Sequence, residues 1–347
     1  MMSEKWLYFF NILVSRWVNT LGSGGLRTPI KSILVVKWDE IGDMAAAVHV
    51  FGTLKLAYPE ADLHVLCKPF VSTLIAGDPA IDKVITNIED WQQRYDVVVE
   101  LRGTWQTSRK SLSLRTMPKY RVDRGWVRFL QRGAQPHEVV TNERIIRPLV
   151  GDGFPIAKRQ LFPTEAEVAE AEGWADWALN DADCPGYAIL HTGARRELRR
   201  WPLERFVALS KWLLLEKKLI PIWVGTADEE SQLGEAFAMG AAGKKWVAPE
   251  GSSLLSFYAF IASSKLYVGN ESGPLQLADI AEVPLVAIYG PGVPDVFYPQ
   301  SARSRVLHEI FDCNPCDQIH CVRPSDRCID RITLASVQLA VSEVLGK

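Results

Sequence analysis

The chain has 347 residues, 48% of them apolar, and its acidic and basic side chains nearly cancel at a net charge of −2. A single hydrophobic core stops growing near about 250–300 residues, so two domains of about 150 residues are expected. The balanced charge excludes a molecule that binds polyanions with its whole surface, and the apolar content excludes a disordered chain.

Residues 6–14, WLYFFNILV, are apolar apart from Asn11. That run is too short for a spanning helix of about 20 residues, and no A-x-A site follows it, so neither a membrane span nor a signal peptide is expected. At helical spacing Trp6, Phe9, Phe10, Leu13 and Trp17 share one face, which either packs on the protein or lies in a bilayer interface. Segment 1–30 thus reads as an amphipathic helix and the loop LGSGGLRTP (21–29).

Strand and helix signals then alternate. The expected elements are strand Ile33–Lys37, helix Met44–Ala57, strand Asp62–Cys67, a helix near Val71–Ala76 and strands Lys83–Thr86 and Asp96–Glu100. A charged, weakly periodic stretch (101–136) precedes helix Val139–Val150, and the Gly- and Pro-containing segment 151–163 marks a boundary. Beyond it come helix Thr164–Asn180, strand Tyr187–His191, helix Leu203–Glu216, strand Ile220–Val224, helix Glu229–Met239, strand Lys265–Val268, helix Pro274–Ala281 and strand Leu285–Tyr289. Apolar strands between helices imply parallel sheets covered on both faces. The class is α/β: two doubly wound domains, 31–163 and 164–325, closed by a C-terminal helical segment, 326–347. Ligands in such folds sit at the carboxyl ends of the strands.

Four segments place chemistry there. In ILVVKWDEIGDM (33–44) the strand runs into a turn at Gly42, and Asp43 opens the next helix. Its carboxylate either stabilises the helix dipole, by about 0.5–1 kcal/mol, or accepts a proton from an attacking hydroxyl. No G-x-G-x-x-G opens this helix, which counts against a nicotinamide dehydrogenase. In HTGARRELRRWPLERF (191–206), Thr192, Gly193 and Ala194 form a small-residue loop open to phosphate. Arg195, Arg196, Arg199 and Arg200 offer guanidinium groups suited to phosphate oxygens, unless Glu197 and Glu204 pair them. VGTADEE (224–230) ends a strand in an acidic turn, where Glu229 and Glu230 are either ligand contacts or plain caps. In VGNESGPLQLADIAEVPLVAIYGP (268–291), Ser272 reads as an N-cap and Pro274 as a first-turn residue. Gly273 beside them leaves helix N–H groups open to a diphosphate. The loop GPGVPDVFYP (290–299) follows.

Two further features are regional. From Leu101 to Pro136 the chain carries Arg102, Arg109, Lys110, Arg115, Lys119, Arg121, Arg124, Arg128 and Arg132 against Asp123 alone. That imbalance, interleaved with Trp105, Trp126 and Phe129, suggests an anionic partner, with Arg102, Arg109, Arg121 and Arg124 as candidate contacts. No nucleic-acid-binding motif accompanies it. Cys67 and Cys184 stand alone while Cys313, Cys316, Cys321 and Cys328 are bunched, the pattern of a reducing compartment rather than a disulfide-stapled domain. The bunched thiols have ligand-like spacing for Zn²⁺ or iron, and free thiols are the alternative.

The opening ILVVKWDEIGDMAAAVHVFGTLKLAYPEADLHVLC (33–67) and the 268–291 block resemble the ADP-heptose:lipopolysaccharide heptosyltransferases, glycosyltransferase family 9. The cysteine spacing is similar to that of their second subgroup. The resemblance implies a GT-B fold, two facing Rossmann-like domains with a central cleft. It also implies inverting, metal-independent transfer of heptose from ADP-heptose to an acidic lipopolysaccharide inner-core acceptor, with no cofactor required. Asp43 would be the general base. Thr192, Gly193, Arg195 and Arg199 would hold donor phosphate, and Glu229 or Glu230 the nucleoside. Glu271, Ser272, Gly273, Pro274 and Gln276 would complete the donor site. This chain departs from the family pattern with Arg199 where many members have Lys, Glu271 for Asp or Thr, and Gln276 for the frequent His. A cytoplasmic location is expected, peripheral on the inner membrane. Another nucleotide-sugar donor, a non-catalytic nucleotide- or saccharide-binding protein and a Rossmann oxidoreductase are the competing readings.

Overall fold

The computed structural model describes residues 4–21, 29–129, 135–180, 184–292, 294–314, 316 and 319–346. Most of the loop expected at 21–29, Arg132 of the basic stretch and Val293 of the 290–299 loop lie outside the described residues. The chain divides into two compact units, Met1–Phe162 and Pro163–Lys347.

In the first unit, the apolar runs ILVVK and DLHVLC form central strands because every residue but one or two can be buried on both faces. The elements are α1 (Glu4–Leu21), β1 (Ser32–Lys37), α2 (Ile41–Ala45), α3 (His49–Ala57), β2 (Asp62–Cys67) and α4 (Pro69–Ser72), followed by β3 (Lys83–Ile85), β4 (Val97–Arg102), α5 (Trp105–Leu112), β5 (Tyr120–Asp123), α6 (Arg124–Phe129) and α7 (Glu138–Val150). The sheet is parallel throughout, in the order β3-β2-β1-β4-β5. Register between β1 and β4 slips at Val36/Lys37, so that Lys37 pairs with Arg102.

The second unit repeats the design with six parallel strands in the order β11-β10-β9-β6-β7-β8. Its elements are α8 (Glu165–Leu179), β6 (Gly186–His191), α9 (Leu203–Glu216), β7 (Leu219–Gly225), α10 (Glu230–Ala238), β8 (Lys244–Val247) and α11 (Leu254–Ala262), followed by β9 (Leu266–Asn270), α12 (Gly273–Ile280), β10 (Leu285–Tyr289), α13 (Pro294–Phe297), β11 (Ser304–His308) and α14 (Leu334–Leu345). Trp201, Phe206 and Trp223 anchor one face of its core, where Trp201 Nε1 donates to the Ile332 carbonyl at 2.7 Å. A buried indole with its N–H satisfied contributes its full apolar area to the core.

Three expectations change. The single helix Met44–Ala57 is two helices, α2 and α3, because backbone bonds tighten to an i−3 pattern at Ala47 and Val50. The charged stretch is ordered into α5, β5 and α6, with Thr107, Ser108, Ser111, Arg121, Asp123 and Arg124 buried. The weakly apolar strands β8 and β11 and the helix α11 carry the second sheet and its cover beyond the expected elements.

The amphipathic helix is part of the first unit. Asn11, Ser15 and Asn19, spaced by four, turn towards β5. Arg121 of β5 is fully buried and donates to the Asn11 carbonyl (3.0 Å), Asn11 Oδ1 (2.9 Å), Ser15 Oγ (2.6 Å) and Glu100 Oε2 (2.9 Å). Ser15 Oγ in turn donates to Asp123, and Ser108 Oγ to Asn11 Oδ1 at 2.5 Å. Of the expected apolar face, Phe10 packs on Trp105 with centroids 4.5 Å apart, whereas Trp6, Phe9, Leu13 and Trp17 stay exposed.

Candidate active site

At the carboxyl edge of the first sheet, β1 ends in a buried lysine. Lys37 Nζ lies 3.6 Å from Asp39 Oδ2 and 3.5 Å from Glu138 Oε1. Glu138, at the start of α7, also takes a bidentate pair from Arg124 and a 2.8 Å bond from Arg128. Burial opposes its charge, but the surrounding cations win and hold its carboxyl far below the usual range. Arg102, at the end of β4, places Nε 3.4 Å from Asp39 Oδ2.

Asp43 sits beside this group in the first turn of α2, whose N-cap is Glu40. Burial is the main force that pushes the Asp43 carboxyl up, to about 7, with Asp39 and Glu138 adding repulsion and Lys37 and Arg102 opposing them. A carboxylate that exchanges its proton near neutrality is matched to general-base work.

The basic stretch divides accordingly. Arg121 and Arg124, expected at an acceptor surface, are buried and paired with Glu100, Asp123 and Glu138. This corrects both assignments: Glu100 and Glu138 flank the 101–136 window, so the count of positive charge omitted the acids that neutralise it. Lys110 pairs with Glu89 and Lys119 with Asp96, both at under 3 Å. Arg102 is half-exposed beside Asp39, and Arg109 and Arg115 are exposed.

In the second unit, the ends of β6, β7, β9 and β10 gather the remaining candidates. Asn270, the last residue of β9, donates from Nδ2 to the Thr192 carbonyl (2.7 Å) and accepts from the Trp201 amide (3.0 Å). It thereby fixes the Thr192–Gly193–Ala194 loop against the sheet. A Cβ on Gly193 would fall 1.7 Å from Glu229 Oε1, so the carboxylate takes the space that a larger residue would fill. Glu229 accepts from the Thr226 amide (3.0 Å) and lies 3.8 Å from His191 Nε2. Burial alone would raise its pKa, yet His191 and Thr226 hold it at about 2. Glu230 turns outward to Lys245 at 2.8 Å, which separates it from the loop.

Ser272 is the N-cap of α12 but bonds no amide of the helix; its hydroxyl meets His191 Nδ1 (3.2 Å) and the Asn270 carbonyl (3.0 Å). The first-turn N–H groups at Gly273 and beyond therefore keep their positive end without a side-chain cap, the condition for anion binding. Pro274 holds the first turn. Arg199 Nη1 contacts Glu271 Oε1 at 3.1 Å, and Arg200 Nε donates to the Ala194 carbonyl at 3.1 Å. Glu271, not Glu197 or Glu204, is thus the acid across from Arg199. Burial raises the Glu271 pKa, with Arg199 opposing, and its Oε2 occupies the space that a Cβ on Gly292 would take. Gln276 is buried and donates to the Phe297 carbonyl at 2.7 Å. Arg195 is exposed on the loop.

Cys313, Cys316, Cys321 and Cys328 line one cavity of about 240 Å³ with Leu198 and Pro291, and all six cysteines are free thiols. Among the described residues no three His, Cys, Asp or Glu side chains are grouped to hold a metal ion. Of the two readings of the spacing, the zinc or iron site has no assembled ligand set among the described residues.

Lys37, Asp39 and Glu138 escaped the sequence reading, as did His191 and Asn270 as side-chain contributors. A lysine closing the apolar run ILVVK was the signal for the first group, since a buried cation requires acids nearby.

Two parallel doubly wound sheets, with ligand-type turns at their carboxyl edges, define an α/β protein of the GT-B class. Residues 91–325 match the sequence profile of Glycosyltransferase family 9 (heptosyltransferase). The chain belongs to that family and is a glycosyltransferase. Lipopolysaccharide heptosyltransferase 2 of Salmonella typhimurium is 23% identical over 325 residues, covering 80% of this chain and 88% of the relative. The family 9 glycosyl transferase of Veillonella parvula superposes with a TM-score of 0.74 at 18% identity, covering 91% and 97% of the two chains. E. coli ADP-heptose heptosyltransferase II gives 0.70 at 21% identity, covering 90% and 98%.

Proposed function

We propose that this glycosyltransferase moves a heptose from ADP-heptose, with inversion, to a hydroxyl of an acidic lipopolysaccharide inner-core acceptor. The observation that carries the reading is the Asp43 carboxyl, raised to about 7 by burial at the end of β1. Asp43 takes the acceptor proton as its oxygen attacks the anomeric carbon. The bond from that carbon to the diphosphate oxygen breaks, and the pair of electrons leaves with ADP. Arg199, the Thr192–Gly193 backbone and the amides opening α12 take up the developing charge, an arrangement that needs no cofactor. Glu229 is the nucleoside contact of this scheme. Arg102 and Arg109 meet the acceptor's anionic groups, in the cytoplasm at the inner membrane, where a lipid-linked acceptor is presented.

Asp43→Asn tests the chemistry: turnover falls about 10²–10⁴-fold while ADP affinity stays within about two-fold. Near-normal turnover removes Asp43 from the role. A second reading, another nucleotide sugar as donor, draws on the Arg199–Glu271 pair and the Gln276–Phe297 bond, which occupy side chains expected on the sugar. Slow donor hydrolysis across ADP-, UDP- and GDP-sugars separates the two. Tight ADP binding with no product from any donor would favour a non-catalytic protein.

A further inference from the structure

Helix α1 buries Val14 and Val18 on the protein yet keeps a second apolar strip in solvent. Its polar stripe, Asn11, Ser15 and Asn19, is turned into the protein and consumed by Arg121 and its neighbours. Its solvent face carries Trp6 (58% exposed), Phe9, Leu13 and Trp17 (58%). At 100° per residue these four fall within an arc of about 80°. Phe9 meets Phe129 of α6 with centroids 5.6 Å apart, and Trp126 and Phe129 are themselves exposed, so the patch spans two helices. A water-facing helix ordinarily shows the opposite pattern.

We infer that this patch docks the protein on an anionic lipid surface, with α1 lying in the interface plane. Three observations favour that occupant. The exposed flank of the patch carries Lys5 and Arg16, and Glu4 is the one acid of the helix sequence, a net positive charge that complements anionic headgroups. Tryptophan and phenylalanine at the rim of an apolar strip are the side chains that settle at headgroup depth. No described helix is long and apolar enough to cross a membrane, so a contact of α1 with a bilayer would be interfacial. A two-fold contact with a second copy would bring Lys5 and Arg16 towards their own counterparts, and is disfavoured by like charge.

Removing α1 is a poor test, because it would strip the buried Arg121 guanidinium of three of its hydrogen bonds. The full chain is instead floated with phosphatidylglycerol/phosphatidylethanolamine vesicles and with phosphatidylcholine vesicles, beside Trp6→Ser/Phe9→Ser/Trp17→Ser and Lys5→Glu/Arg16→Glu variants. Binding to anionic vesicles is expected, falling at least about tenfold in each variant, with the unfolding temperature and ADP affinity unchanged. Tryptophan emission shifts to the blue on binding in the wild type. Equal flotation of the aromatic variant, or no flotation of the wild type, overturns the inference. So does a concentration-dependent dimer that the aromatic variant abolishes without any vesicle binding. None of these readouts uses turnover, so the result is independent of the proposed reaction.

Discussion

Asp43 has two cations and two carboxylates for neighbours, and its burial decides the outcome. As a base it must be ionised, so kcat should rise with pH through about 7 and level off above it. A pH profile flat from 6 to 8.5 would count against the assignment. Gly193 makes a second residue-scale claim. Gly193→Ala drives a methyl into Glu229 Oε1, so the loop or the carboxylate must shift. ADP affinity by calorimetry should drop at least about tenfold, and undiminished binding would detach this loop from the donor. Asp43, Gly193 and Ser272 were legible because a turn residue at a strand's end announces itself locally. The partners were not: Glu138 lies 101 residues from Lys37, and Glu271 reached Arg199 only through folding.

Strands built on unbroken apolar runs, such as ILVV and LVAIY, were readable because burial on both faces leaves no polar position within the run. The strand YRVD was not, since Arg121 and Asp123 read as solvent-facing and are buried. Helix α1 is the reason they can be. It supplies the acceptors and the hydroxyl that complete the Arg121 shell, so helix and strand act as one element. Arg121→Met should cost about 3–5 kcal/mol in urea unfolding, because Glu100 and Asp123 are left buried without their cation. A cost below about 1 kcal/mol would return Arg121 to the acceptor-binding candidates. The α2–α3 break was illegible for a different reason: MAAAV supports helix locally, and no local signal marks the change to i−3 bonding at Ala47 and Val50.

Across the whole molecule, ionisable groups pull stability in opposite directions with pH. His49 is buried and neutral, its pKa lowered to about 3, so the unfolded chain takes up a proton first and stability falls as pH drops below about 6.5. Asp43 is raised to about 7, so its fold binds the proton more tightly and gains stability as pH falls from about 7 towards 3.8. The two windows nearly coincide and oppose. Glu229, held at about 2, contributes stability above its unfolded value of 4.5 that is lost as pH falls towards 2, and Glu138 acts in the same sense. The unfolding temperature should therefore stay level between pH 7 and about 4.5 and drop steeply below. Asp43→Asn should convert the level region into a decline starting near pH 6.5, and an unchanged profile would contradict the opposition.

The stitching of α1 to Arg121 also bears on descent. Asn11 and Ser15 accept from the Arg121 guanidinium and Asn19 from its backbone N–H, so losing the helix leaves that buried guanidinium short of acceptors. A relative that never acquired the helix should carry an apolar or small residue where this chain has Arg121. The helix and that arginine would then have entered the lineage together, or in quick succession.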